Sequence, residues 1–159
     1  MPQARIGTTE LVLFELAGWS YGIAAAAVVE LVRAATIVPL PGAPAIVEGV
    51  INLRRRLIPV LDIRARFNLA PHPLALSDRF IIAEAGGRIV ALRVDHVSAV
   101  VRFDAADIES AEALIPGAGY LAGVARLADG LVLIHDLCSF LKPAEEDALA
   151  ALALEEVPA

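Results

Sequence analysis

Apolar residues in this chain fall in short runs broken by glycine, proline or charge, and most runs have strand character. Leu11–Leu16 (L-V-L-F-E-L) is apolar except for Glu15, and Trp19–Ile23 follows it across the turn signal Ala17-Gly18. Ala24–Arg33 begins with strong helix formers and carries Val28, Leu31 and Val32 at helical spacing, which predicts a short helix. Val29–Val32 reads equally as strand. Pro39, Pro41, Pro44 and Gly42 exclude regular structure and lead into a hairpin of Val50–Leu53 and Leu57–Ile63. Its tip is Arg54-Arg55-Arg56. Pro59, which has no N–H to donate, predicts that the second strand lies at an edge or is bulged there. Phe80–Ala85 and Arg88–Val94 make a further hairpin around Gly86-Gly87, and the acidic, alanine-leucine-rich tail Glu145–Glu156 reads as a loosely packed or frayed helix.

The pattern repeats. Shifting Gly49–Phe67 by 74 positions lands on Gly123–Leu141: Gly49 meets Gly123, Leu53 meets Leu127, Leu57 meets Leu131 and Asp62 meets Asp136. In the second copy Asp129-Gly130 supplies the turn, and Ile115-Pro-Gly-Ala precedes it as Leu40-Pro-Gly-Ala precedes the first. The opening hairpin overlays the later one at a shift of 69, with Leu13 on Ile82, Gly18 on Gly87, Val28 on Val97 and Arg33 on Arg102. One β-rich plan used twice predicts two small antiparallel barrels or one two-lobed β structure. Residues 71–73 (Pro-His-Pro) mark the expected boundary between lobes of about 9–70 and 78–142, with exchange of strands between them allowed. Together these make a single domain over 9–142, and 143–159 form the helical or frayed tail.

Composition narrows the function. A net charge of −6 and a pI near 5.0 argue against general nucleic-acid binding, which needs broad positive potential. One cysteine, Cys138, makes no intramolecular disulfide and fits a reducing cytosol. The first residues lack the apolar core of a signal peptide, and the longest apolar stretch, 22–29, is far shorter than the ~20 residues that span a bilayer.

Signals for chemistry are thin. Asp62 and Asp136 hold matching places in the repeat, which favours capping or accepting backbone N–H groups. His72, His96 and His135 lie in unrelated contexts; His135 reads as a packed histidine and Cys138 as a small buried hydrophobe. The serines lack nucleophile-elbow spacing, and Gly86-Gly87 lacks the lysine and hydroxyl residue of a P-loop. No catalytic, metal or cofactor constellation emerges, so the chain reads as a non-enzyme. Arg54, Arg55, Arg56, Arg64 and Arg66 lie close together with Asp62 the only acid among them. That cluster reads as a solvated hairpin end or as a basic patch that docks an acidic protein surface. A small nucleic-acid-binding β-barrel using the arginine hairpin is the alternative from another class.

Several of these segments together resemble the CheW-like chemotaxis adaptor family: L-V-L-F-E-L at 11–16, Y-G-I at 21–23, V-x-E-x-V at 28–32, P-x-P-x-x-P at 39–44, G-V-I-N-L-R at 49–54 and I-P-V-L-D-I-R at 58–64. V-D-H-V at 94–97 and Y-L-A-G-V-A at 120–125 continue the match, which covers about residues 9–142. The resemblance implies two SH3-like five-stranded β-barrel lobes packed together, with short helices. It implies a non-enzymatic adaptor, without cofactor, that couples chemoreceptor cytoplasmic tips to the regulatory domain of a CheA-type histidine kinase. Such a protein would be cytoplasmic and recruited to membrane receptor arrays, without inserting in the membrane or binding nucleic acid. By resemblance, Val28, Glu30, Gly49, Arg54 and Val100 fall where the family contacts its partners or holds those surfaces in shape, and Arg55 and Arg56 extend the same patch. Two positions depart from the family pattern: Arg55 stands where glycine usually follows the arginine, and Ala91 where glycine is frequent. Because Gly130 aligns with Arg56, the expected loop is one in which Arg55 is extended and does not turn.

Overall fold

The computed structural model describes residues 8–110, 121–127 and 130–152. The strands are β1 (Thr8–Leu16), β2 (Trp19–Ala24), β3 (Val28–Arg33), β4 (Val47–Leu53), β5 (Arg56–Leu61), β6 (Arg79–Ala85), β7 (Arg88–Val94), β8 (His96–Asp104), β9 (Ile108–Ser110), β10 (Leu121–Leu127) and β11 (Gly130–His135). Two short helices, α1 (Ile63–Arg66) and α2 (Pro143–Ala151), accompany them. The strands form a five-stranded sheet of order β3-β6-β7-β5-β4 and a six-stranded sheet of order β8-β1-β2-β11-β10-β9, the last strand only three residues long. The fold is mainly β with two SH3-like lobes, as the repeat and the resemblance implied. No helix among the described residues is long and apolar enough to cross a membrane.

Alternation along each strand builds three cores. Leu11 and Leu13 of β1 point into the six-stranded lobe with Phe103, Ala125, Val132 and Ile134. Val12, Phe14 and Leu16 point the other way, into a cluster shared with Leu61, Ile81 and Leu92 of the five-stranded sheet. Ile51, Ile58, Val60, Phe80 and Ile82 fill the five-stranded lobe. Burial on both faces explains why these strands read as continuous apolar runs.

The repeat holds pair by pair, but its halves are interleaved. The parallel pairing Val60↔Ala91 between β5 and β7 recurs as Ile134↔Gly22 between β11 and β2. Leu31↔Ile81 recurs as Val100↔Val12, and both ladders carry a bulge at the matching place, between Val28 and Glu30 and between Val97 and Ala99. Each lobe therefore joins the first hairpin of one half to the later strands of the other. The chain enters the five-stranded sheet at the 3-10 turn Ala25–Ala27 and leaves it at Asp95. The boundary expected at 71–73 is corrected accordingly: that segment connects α1 to β6 inside one lobe. Local turn and strand signals do not say which half a hairpin will pair with.

Four further expectations change. The helix over Ala24–Arg33 is a single 3-10 turn followed by β3, because pairing with β6 overrides the alanine propensity. Pro59 lies on an interior strand. Val50 opposite it exchanges both its backbone bonds with Val38 (2.8 and 2.9 Å), and the ladder from β5 to β7 starts at Val60, so no donor is missed at Pro59. The tail is docked through residue 152: Leu149 of α2 is fully buried in the shared core and Leu152 packs against it. Cys138 is exposed. The turn residue Asp129 and the segment 115–118 lie outside the described residues.

Candidate partner-binding surface

Glu30 and Arg54 come together although 24 residues separate them. Arg54 donates from Nη2 to Glu30 Oε2 at 2.9 Å and from Nη1 to Oε1, a bidentate pair. The Arg54 side chain is largely exposed while that of Glu30 is mostly covered. The Arg54 hydrogen bond holds the Glu30 carboxyl below the usual carboxylate range, and Glu30 raises the guanidinium in return. Glu30 lies in β3 and Arg54 in the turn that follows β4, the two end strands of the five-stranded order, so the pair links those two edges at one end of the sheet.

The turn that presents Arg54 is strained. Leu53 pairs with Arg56, leaving a two-residue loop in which Arg54 has φ 50° and Arg55 φ 69°. Both values are left-handed, the type I′ geometry that matches strand twist and favours glycine or asparagine. The extended Arg55 expected from the alignment is thus corrected: the two-residue connection requires positive φ at both positions. Arg55 and Arg56 are exposed beside Arg54. Arg64 and Arg66 leave the patch. Both belong to α1 and its C-terminal turn, where Arg64 donates to Asp95 (2.6 and 2.7 Å) and to the Ala70 carbonyl (3.1 Å), and Arg66 pairs with Glu145 of α2 over the Phe140 ring.

Gly49 supports the site from below. A Cβ there would fall on the Val38 carbonyl and 2.9 Å from Ile37, so the glycine lets the 37–38 segment lie against β4. Val28 is half-buried and packs on the shared core, whereas Val100, in β8 of the other sheet, is 59% exposed. A cleft lined by Leu31, Val32, Arg33, Arg79, His96 and Val97 runs between β3 and β8. Val29 (57%) and Leu31 (46%) expose apolar surface on β3. Neither was among the contact residues expected from the sequence, where Leu31 counted towards a helical face; on the strand reading of Val29–Val32, period-two alternation places both on the outward face.

The remaining candidates are structural. Asp62 accepts from the Ala65 amide (3.2 Å) and Asp136 from the Cys138 amide (2.9 Å), matched caps in the two lobes. His135 is buried and stacks on Phe67 with ring centroids 3.8 Å apart. Among the described residues, no group of three or more His, Cys, Asp or Glu is placed to hold a metal ion.

This two-lobed, interleaved β fold has clear counterparts among known proteins. A family model described as CheW-like domain matches residues 10–145. The chain belongs to the CheW-like family. The chemotaxis protein CheW of Treponema pallidum is 31% identical over 149 residues, covering 90% of this chain and 88% of that protein. The CheW of Klebsiella aerogenes is 29% identical over 138 residues, covering 86% and 83%. The crystal structure of the scaffolding protein TtCheW from Thermoanaerobacter tengcongensis superposes with a TM-score of 0.78 at 30% identity, covering 86% of this chain and 94% of that one. This is a CheW-like adaptor of the chemotaxis class.

Proposed function

We propose that this CheW-like chain couples chemoreceptor cytoplasmic tips to the regulatory domain of a CheA-type histidine kinase and works entirely through protein contacts. The observation that carries this reading is the Glu30–Arg54 pair, an exposed bidentate ion pair flanked along β3 by exposed Val29 and Leu31. An exposed bidentate pair on a strained turn does little for a monomer's stability. It does hold a rigid, charged rim next to an apolar edge, as a protein interface requires. Val28, Glu30, Gly49, Arg54, Arg55, Arg56 and Val100 form or shape the contact surface in this reading. The protein acts in the cytoplasm, recruited to receptor arrays at the membrane.

Co-sedimentation with a receptor cytoplasmic fragment and a kinase regulatory fragment tests it. Arg54→Glu places a like charge beside Glu30, so assembly should weaken about tenfold or more while the circular dichroism spectrum stays unchanged. Unchanged assembly would remove Arg54 from the surface. Retention of nucleic acid that falls steeply with salt would favour a different class of function.

A further inference from the structure

The interleaved repeat equates each position of one lobe with a position of the other. In the five-stranded lobe one such set is a filled polar cluster. Arg93 donates to Glu48 (2.9 and 3.0 Å), to Asp78 (3.3 Å) and to the His72 carbonyl (3.0 Å), and its side chain is buried. Arg64 lies in the same lobe, also buried, on Asp95. In the six-stranded lobe the equivalents are Ala24 for Arg93, Ala122 for Glu48, Thr9 for Asp78 and Cys138 for Arg64. All four are small. In their place lies a cleft of about 330 Å³, lined by these residues together with Leu11 and Ile134. Leu11 and Ile134 match Phe80 and Val60, so the apolar floor is common to both lobes and only the filling differs. The walls cannot close on the gap, because β1–β2 and β10–β11 are held apart by the same ladders that frame the filled copy.

We propose that this cleft binds a small, neutral, apolar molecule of one or two rings. Size sets the upper end: an enclosed cavity of roughly 150 Å³ holds one benzene, and this cleft, open to solvent at exposed Ala24, Ala122 and Cys138, can cover one face of one or two rings. Charge sets the class. A cation would meet the Glu84 carboxylate only at the exposed rim, with no equivalent of the covered Glu48 and Asp78 carboxylates that hold Arg93, and the Asp136 carboxylate is engaged in capping Cys138. An anion would face Glu84 at the rim in a chain of net charge −6. Thr9 offers a single hydroxyl for orientation. The site is independent of the adaptor role and lies away from Glu30 and Arg54.

N-phenyl-1-naphthylamine, a neutral fluorescent probe, tests the assignment on the full chain. Its fluorescence should rise saturably with one site per chain. Alkylation of Cys138, the only cysteine, should slow about tenfold when the probe is bound. Ala24→Leu with Ala122→Leu fills the cleft from two exposed positions; it should weaken the probe about tenfold or more and leave the melting temperature within a few degrees. Absence of saturable binding overturns the proposal. So does binding that the filled variant retains, or that leaves Cys138 equally reactive, since the probe then sits elsewhere, for example on exposed Trp19.

Discussion

Arg55 is the residue where conformation and identity disagree most. The other two-residue turns described here place Gly18 and Gly87 at the matching position, with φ of 82° and 83°, whereas Arg55 carries a β-carbon at 69°. Arg55→Gly should therefore raise stability by about 0.5–1 kcal/mol, relief of left-handed strain outweighing the added freedom of the unfolded chain; urea unfolding of the pair of proteins measures it. Gly49 gives the opposite case. Gly49→Ala should cost about 1–3 kcal/mol, because the new methyl meets backbone that cannot rotate away. At this scale the sequence was legible where the chemistry is local. The caps Asp62 and Asp136 followed from their own neighbourhood and from each other. The fates of Arg64 and Arg66 did not, since their carboxylates come from 31 and 79 residues downstream. Spacing along the chain shows charge density; it does not show which charges the fold will bury.

Among elements, β3 and α2 departed most from their expected form, for opposite reasons. Alanines before β3 argued for helix, and the bulge between Val28 and Glu30 let a strand carry apolar residues at near-helical spacing. The tail showed no strong apolar stripe, so nothing local announced that Leu149 is an anchor. Its docking is settled by what surrounds it: Phe140 and Leu141 beside it in the shared core, Arg66 on Glu145, and Glu145 returning to the Lys142 amide at 2.8 Å. Leu149→Ala should then cost about 2–5 kcal/mol as a cavity opens between the lobes. A loss below 1 kcal/mol in thermal or urea unfolding would mean that α2 is the frayed element the sequence suggested.

For the whole molecule, carboxylates tie the lobes together. Burial alone would raise the Asp95 carboxyl, but the Ala17 amide at 2.9 Å and Arg64 outweigh it and hold it below the usual range. Glu145 behaves alike: burial opposes, and Arg66 and the Lys142 amide prevail. Depressed folded values mean that this stability is complete above the unfolded carboxylate range, about pH 4, and is lost as pH falls through the lower folded values. The urea midpoint should stay level between about pH 5 and 7 and drop below about pH 4. Asp95→Asn should lower the neutral plateau and flatten the acid limb. Two lobes and a duplicated plan were readable in advance because turns and strands recur together. Their interleaving was not, because pairing within a half and across halves satisfies the same hydrophobic pattern.

That interleaving imposes an order on synthesis. The β1–β2 hairpin leaves the ribosome first, yet its final neighbours β8 and β11 are made only after β3 through β7 have emerged. The middle of the chain, 28–94, is contiguous and can close at once against one face of the first hairpin, whose other face and two edges stay unfinished. Slow translation between residues 95 and 135 should lengthen the interval in which the nascent chain needs a chaperone, and a circular permutant that begins at residue 96 would make all six outer strands consecutively.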